Sequence, residues 1–301
     1  MSANSASPPR PGSLASRAAV SVVVVATFTA LCWADATGLG GTRAGWWLLP
    51  VAVCVAAGAA SEAAAMAWRN GLTLSPSLVG GVTAILPVVA LVSAQASNPA
   101  AVIGRVALTL TLMLGLLFVV EVARYRPASQ ALPRIAASLL TISAVGLPLA
   151  FMVDLRQRGG NGLAGLLPLV SMVAVVKGGD IAAYLVGSRF GRWRMAPLVS
   201  PGKTWEGAAA SVAASLAVAW LILDGTGWSE AVPLGGWPVY GLAVGVAGML
   251  GDLSESLVKR ELGMKDSGRA LGGLGGFLDL VDALLFAAPV AWLLWTLGGQ
   301  P

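Results

Sequence analysis

The chain is expected to fold as an all-α polytopic membrane protein with about nine transmembrane helices, whose site is formed by two polar loops on one face. Three observations predict this. Of the 301 residues, 56% are hydrophobic and only 11% are charged, whereas soluble domains carry roughly 25% charged residues. The apolar residues fall into runs of roughly 17 to 25, the length a helix needs to cross a hydrocarbon core about 30 Å thick. These runs also lack the two-residue alternation of a membrane barrel. Backbone groups in lipid must be satisfied within their own segment, so each run is expected to be helical.

Residues 1–17, rich in Ser, Pro and Ala, read as a disordered tail. Spans follow near 18–34, 46–67, 76–95, 100–122, 135–154, 163–187, 207–223, 237–253 and 278–297. The first run also resembles a secretory signal, because Ala34-Asp35-Ala36 has the look of a cleavage site. An anchor at the head of a multi-span chain is the preferred reading.

Cytoplasmic loops hold an excess of Lys and Arg, and that excess orients the chain. Fourteen basic residues lie on the side of the N-terminus, and three, Arg43, Arg156 and Arg158, lie on the other. The N-terminus and both polar loops are therefore expected to be cytoplasmic, in a cell inner (plasma) membrane. The net charge of +5 is read as a topology signal and an attraction to anionic membrane lipids, not as a sign of nucleic-acid binding. Cys32 and Cys54 both sit in apolar runs and histidine is absent, which excludes a disulfide framework and a Cys/His zinc site. Without histidine, any catalysis must work through carboxylates, Lys or Arg, hydroxyls or metal ions.

The two halves differ in kind. In residues 18–170, read as a transmembrane scaffold, Glu62, Arg105 and Glu121 are the main charges at or near membrane depth. Residues 171–301, read as the catalytic region, contain polar loops at 188–206 and 254–277. The second loop brings Asp252, Glu255, Ser256, Lys259, Arg260, Lys265 and Asp266 to a glycine-rich turn at 272–276, followed by Asp279 and Asp282. If the eighth helix continues past residue 252, Asp252, Ser256 and Lys259 share a face, and Asp279 and Asp282 share one at the start of the ninth. Carboxylates aimed into glycine amides and cationic side chains make a cage for a hard divalent cation and the phosphates it bridges. Magnesium and a nucleotide are the natural occupants. An aspartate inside a span costs about 2.5–3.5 kcal/mol on insertion scales, so Asp282 and Asp180 each need a partner or a function.

The first loop begins inside the membrane at Lys177-Gly178-Gly179-Asp180, passes Tyr184, and ends with Ser200-Pro201-Gly202-Lys203-Thr204. Gly-Lys-Thr alone is not a phosphate-binding P-loop, because the first glycine of that motif would fall at Pro197 and no strand is expected before it. What is left is a turn bearing a hydroxyl and a lysine at a helix start, where amides and the positive dipole end favour an anion. Trp205 is read as an interfacial anchor rather than a stacking platform.

From Ser256 to Asp282 the chain resembles the signature of the phosphatidate cytidylyltransferase (CDP-diacylglycerol synthase) family. That signature runs Ser, two residues, Lys-Arg, four residues, Lys-Asp, a glycine-rich turn and two aspartates three apart. Upstream, Asp180, Ala183-Tyr184, Gly187, Gly191, Pro197, Ser200-Pro201, Lys203-Thr204 and Glu206-Gly207 resemble the same family, so the likeness covers about residues 177–285. Four positions depart from it. Gly272 and Leu274 stand where the family usually has Pro and His, and Leu280 and Ala283 where it has Arg and Ser.

The resemblance implies transfer of a cytidylyl group from CTP to phosphatidic acid, giving CDP-diacylglycerol and pyrophosphate. It implies Asp266, Asp279 and Asp282, with Asp252, as ligands of Mg²⁺, a second metal ion being left open. Lys203, Lys259, Arg260 and Lys265 would hold phosphates, and Lys259, Arg260, Lys265 and Asp266 would form the catalytic group. Ser200, Thr204 and Ser256 would add hydroxyl contacts, Gly275 and Gly276 backbone amides, and Asp180 and Tyr184 a pocket wall. A homodimer is a family-level expectation. A transporter, a CTP-dependent enzyme acting on another lipid such as a polyprenol, and an inactive homologue are the competing readings.

Overall fold

A computed structural model describes residues 14–72, 74–94, 99–126, 130–158, 160, 162–225, 232–264, 267–268 and 275–298. Among these residues, nine helical segments are long and apolar enough to cross a membrane. The protein is an all-α polytopic membrane protein, as its composition predicts. Its helices are α1 (Leu14–Thr37), α2 (Leu49–Arg69), α3 (Pro76–Thr83), α4 (Ile85–Ala94), α5 (Pro99–Ala123), α6 (Ala131–Arg158), α7 (Leu167–Phe190), α8 (Trp205–Leu223), α9 (Gly236–Glu261) and α10 (Phe277–Leu297).

Local chemistry sets several of these boundaries. Pro50, Pro76 and Pro168 stand in the first turns of α2, α3 and α7, where the missing N–H would have had no helical partner. α3 and α4 together make one span, Pro76–Ala94. It breaks at Ala84 because Pro87 has no N–H to offer the Thr83 carbonyl.

Two local expectations change. The eighth span runs eight residues past its expected end at 253, so the start of the 254–277 loop is helix α9 instead. The chain there leaves the apolar layer but keeps good helix formers, and polarity alone does not end a helix. In the 188–206 segment, strand β1 (Arg194–Ala196) pairs antiparallel with strand β2 (Ser200–Thr204), where only a turn was expected.

α10 is the central helix. Leu278, Val281 and Leu285 join the core of α2 to α6, while Ala287, Ala291 and Trp295 join a second core with α7, α8 and α9. Lipid is as apolar as leucine, so helices in a bilayer gain by close approach through small residues. Here Gly179 lies against Ser211 and Ser215, Gly245 against Ser215, and Gly248 against Val176. Gly251 does the same between α9 and α10: a Cβ there would sit 2.6 Å from the Asp282 carbonyl oxygen and 3.0 Å from Ala283 Cα. That approach brings the next residue, Asp252, beside Asp282.

Candidate active site

The C-terminal parts of α7 and α9 and the starts of α8 and α10 surround a cavity of about 510 Å³, lined in part by Lys177, Asp180, Tyr184, Ser200, Lys203, Thr204, Asp252, Asp279 and Asp282. The two polar segments meet here directly. Lys203, at the end of β2, forms a 2.8 Å ion pair with Asp252 on α9. Thr204 caps α8, its hydroxyl oxygen accepting the Gly207 N–H at 3.2 Å. The Glu206 carboxylate accepts the Arg192 N–H at 3.0 Å and the Trp193 N–H at 3.3 Å, which pins the hairpin to the start of α8.

On the other wall, the continued helix α9 places Asp252, Glu255 and Lys259 on one side at spacings of three and four residues. The Lys259 ammonium donates to Glu255 Oε2 at 2.7 Å and to Asp279 Oδ1 at 3.0 Å. Asp279 Oδ2 accepts the Ser267 hydroxyl and the Gly276 N–H, both at 2.8 Å. The protein therefore already occupies both oxygens of Asp279. The carboxylates that converge are Asp252, Glu255 and Asp282, with one oxygen of each lying within 4.8 Å of the others. Lys177 is 3.6 Å from Asp180 and donates to the Leu280 carbonyl at 3.3 Å.

This donor set fits a hard divalent cation. It is oxygen-only, which suits Mg²⁺, Ca²⁺ or Mn²⁺ better than the softer metals. Around the cavity, Asp180, Asp252, Glu255, Asp279 and Asp282 outnumber Lys177, Lys203 and Lys259 by two negative charges.

Other expected site residues are placed differently. Arg260 leaves the cavity and donates from Nε to the Val199 carbonyl at 3.2 Å, tying α9 to the hairpin. Ser256 does not line the cavity either, although α9 continues through it and it stands four residues after Asp252. Gly275 and Gly276 precede α10, and Gly275 has φ +92°, a backbone conformation that suits glycine. Lys265, Asp266 and Leu274 lie outside the described residues.

Over residues 15–297 the sequence matches the family model described as "Cytidylyltransferase family". The chain belongs to the cytidylyltransferase family. It is 44% identical over 141 residues to a phosphatidate cytidylyltransferase of Brucella suis, a stretch covering 46% of this chain and 50% of that protein. It is 40% identical over 130 residues to one of Mycobacterium tuberculosis, covering 42% and 37%. An uncharacterized protein of Escherichia coli is 41% identical over 128 residues, covering 42% and 41%. The chain thus spans half or less of the length of these curated relatives.

Around this cavity, two residues stand out that the sequence pattern did not assign. Glu255 supplies the third converging carboxylate and Lys177 lines the cavity. A signal for Glu255 was present, because it lies three residues after Asp252 and four before Lys259.

Proposed function

We propose that the chain is a CTP:phosphatidate cytidylyltransferase that makes CDP-diacylglycerol and pyrophosphate. One observation carries the reading: Lys203 from the 188–206 segment lines one cavity with Asp252 and Asp282, whose carboxylates converge with that of the buried Glu255 beside them. In the reaction, a phosphatidate oxygen bonds to the α-phosphorus of CTP. The bond from that phosphorus to the β-phosphate oxygen breaks, and its electron pair leaves with pyrophosphate. A phosphate monoester has its second pKa near about 6, so the nucleophile is already mostly ionised and the absence of histidine is no obstacle.

The protein's own task is positioning and charge compensation. Lys203 and Lys177 are the cavity cations able to meet phosphates, and Lys259 bridges Glu255 and Asp279. The Thr204 hydroxyl accepts from Gly207 and keeps its own hydrogen free to donate. Asp252, Glu255 and Asp282 would hold the divalent cation, and Asp266 stays an expected ligand on the resemblance alone. When bound, that ion would neutralise the triphosphate and the departing pyrophosphate.

The basic excess favours placing this face in the cytoplasm, with phosphatidate entering from the inner leaflet and CTP from solution. We take 18–170 as supporting helices and 171–301 as the catalytic region. A transporter would need a polar path to both faces, whereas the polar network at the other end of the bundle is buried and internally paired.

The decisive experiment supplies purified protein with CTP, Mg²⁺ and either phosphatidate or a polyprenol. Phosphatidate should yield CDP-diacylglycerol and pyrophosphate, and the polyprenol nothing. Turnover of the polyprenol alone would replace this reading with that of a CTP-dependent enzyme acting on another lipid.

A further inference from the structure

Glu62 belongs to α2, in the half of the chain read as scaffold, yet it reaches the start of α10. Its Oε2 accepts the Leu278 N–H at 3.0 Å. That N–H is one of the four donors which a helix start leaves without an internal partner. The contact is built into the packing: a Cβ at Gly58 would overlap the Phe277 ring, and a Cβ at Gly268 or Gly276 would overlap the Glu62 carboxylate. At the end of the same helix, the Asn70 amide donates to the Leu262 carbonyl at 3.1 Å, where α9 stops. α2 thus grips both ends of the segment that joins the two acid-bearing helices.

A carboxylate within a span is costly, by about 2.5–3.5 kcal/mol on insertion scales. A positive helix end and its free N–H groups compensate that cost. The effect passes to the site within one turn. Beside Leu278, Asp279 closes onto the Gly276 N–H and receives Lys259, and Asp282 follows three residues on, facing Asp252 and Glu255.

We infer that Glu62 is a positioning residue, which holds the first turn of α10 so that Asp282 meets Asp252 and Glu255 in a cation-binding geometry. This rests on the reading that those carboxylates bind a divalent cation. The positioning acts through the hydrogen bond to Leu278, so Glu62→Gln, which keeps an acceptor oxygen there, preserves the function.

Two measurements on the full-length purified protein test this. Mn²⁺ binding followed by electron paramagnetic resonance should weaken about tenfold or more in Glu62→Ala, the range found when a residue supporting metal ligands is lost. Glu62→Gln should stay within about threefold of wild type on the same scale. Hydrogen exchange of the amides at 277–282 should accelerate about tenfold in Glu62→Ala and not in Glu62→Gln, as local opening of that turn becomes easier. Glu121→Gln, which breaks the peripheral pair with Arg134, controls for general destabilisation: it should lower the melting midpoint and leave Mn²⁺ binding unchanged.

Unchanged exchange at 277–282 in Glu62→Ala overturns the inference, and so does a loss in Glu62→Gln equal to that in Glu62→Ala. Failure of the cation reading looks different. Wild type, or Asp282→Asn at wild-type strength, would then show the wrong Mn²⁺ behaviour while the exchange result still decides the role of Glu62.

Discussion

α10 carries a charged cluster near each end, and the two are assembled differently. Near its start, Asp279 and Asp282 face an open cavity, in and beside which five carboxylates stand against three lysines. Thirteen residues beyond Asp279, about 20 Å along the helix at about 1.5 Å per residue, Trp292 donates its indole N–H to Asp154 at 2.5 Å. Arg158 pairs with the same carboxylate at 2.7 Å, and its guanidinium lies 4.6 Å from the centre of the Trp292 ring. Beside them Arg156 pairs with Asp35 at 2.7 Å and donates to the Gly160 and Gly165 carbonyls. Asp35, Asp154 and Arg156 are only 3%, 3% and 1% exposed. At this end two acids meet two bases, and all four side chains are largely buried. A balanced, closed cluster holds helices together, whereas an unbalanced, open one is destabilising until a ligand supplies the missing charge.

The largest effect should come from Asp282→Asn. Removing a positioned charge that serves a transition state costs two orders of magnitude or more, so Mg²⁺-dependent CTP turnover should fall at least about a hundredfold. The melting midpoint should hold or rise, because one of three crowded like charges is gone. A fall in midpoint as large as the fall in turnover would mean that the site acids are structural.

Asp154→Asn is the mirror experiment. It leaves Arg158 buried without its counter-charge, which typically costs about 3–5 kcal/mol. Thermal unfolding in detergent should show this as a much lower midpoint, while turnover at low temperature stays within about twofold of wild type, since no contact to reacting groups is lost. Loss of turnover in protein that is still folded would break the contrast between the two ends.

Lys203→Met comes third. It removes the cavity cation paired with Asp252, and the KM for CTP should rise about tenfold, the usual worth of a charge-assisted contact of about 1.5 kcal/mol. The thermal midpoint should move little, because the pair is partly solvated.

The helices were legible because length and apolarity are properties of the chain itself. Each expected span has a counterpart among the described helices. Asp279 and Asp282 were legible too, since three-residue spacing on a helix is geometry that a sequence states outright. Glu255 and Glu62 were harder. Glu255 reads as one charge among many until α9 is known to continue to Glu261, because only then does it share a face with Asp252. Glu62 acquires meaning only when α2 is packed against α10, 216 residues away in sequence. Asp35 and Arg156 were invisible as a pair for the same reason, lying 121 residues apart. What the sequence hides is the pairing between elements, because the energy of such a pair belongs to neither segment alone.

The smallest effect sharpens the contrast at one atom. Thr204 is 3% exposed, and its hydroxyl oxygen caps α8 through the Gly207 N–H and faces Gly187, while its methyl and hydroxyl together pack against Gly191. Thr204→Val keeps the shape and removes only the oxygen. As a lost cap it should cost about 1 kcal/mol of stability. If the hydroxyl hydrogen also meets a phosphate, the KM for CTP should rise about threefold, as expected for one neutral hydrogen bond. Thr204→Ser restores the oxygen and should recover both quantities. Recovery of the midpoint without recovery of KM would assign Thr204 to the helix alone and leave Lys203 as the sole phosphate contact offered by that turn.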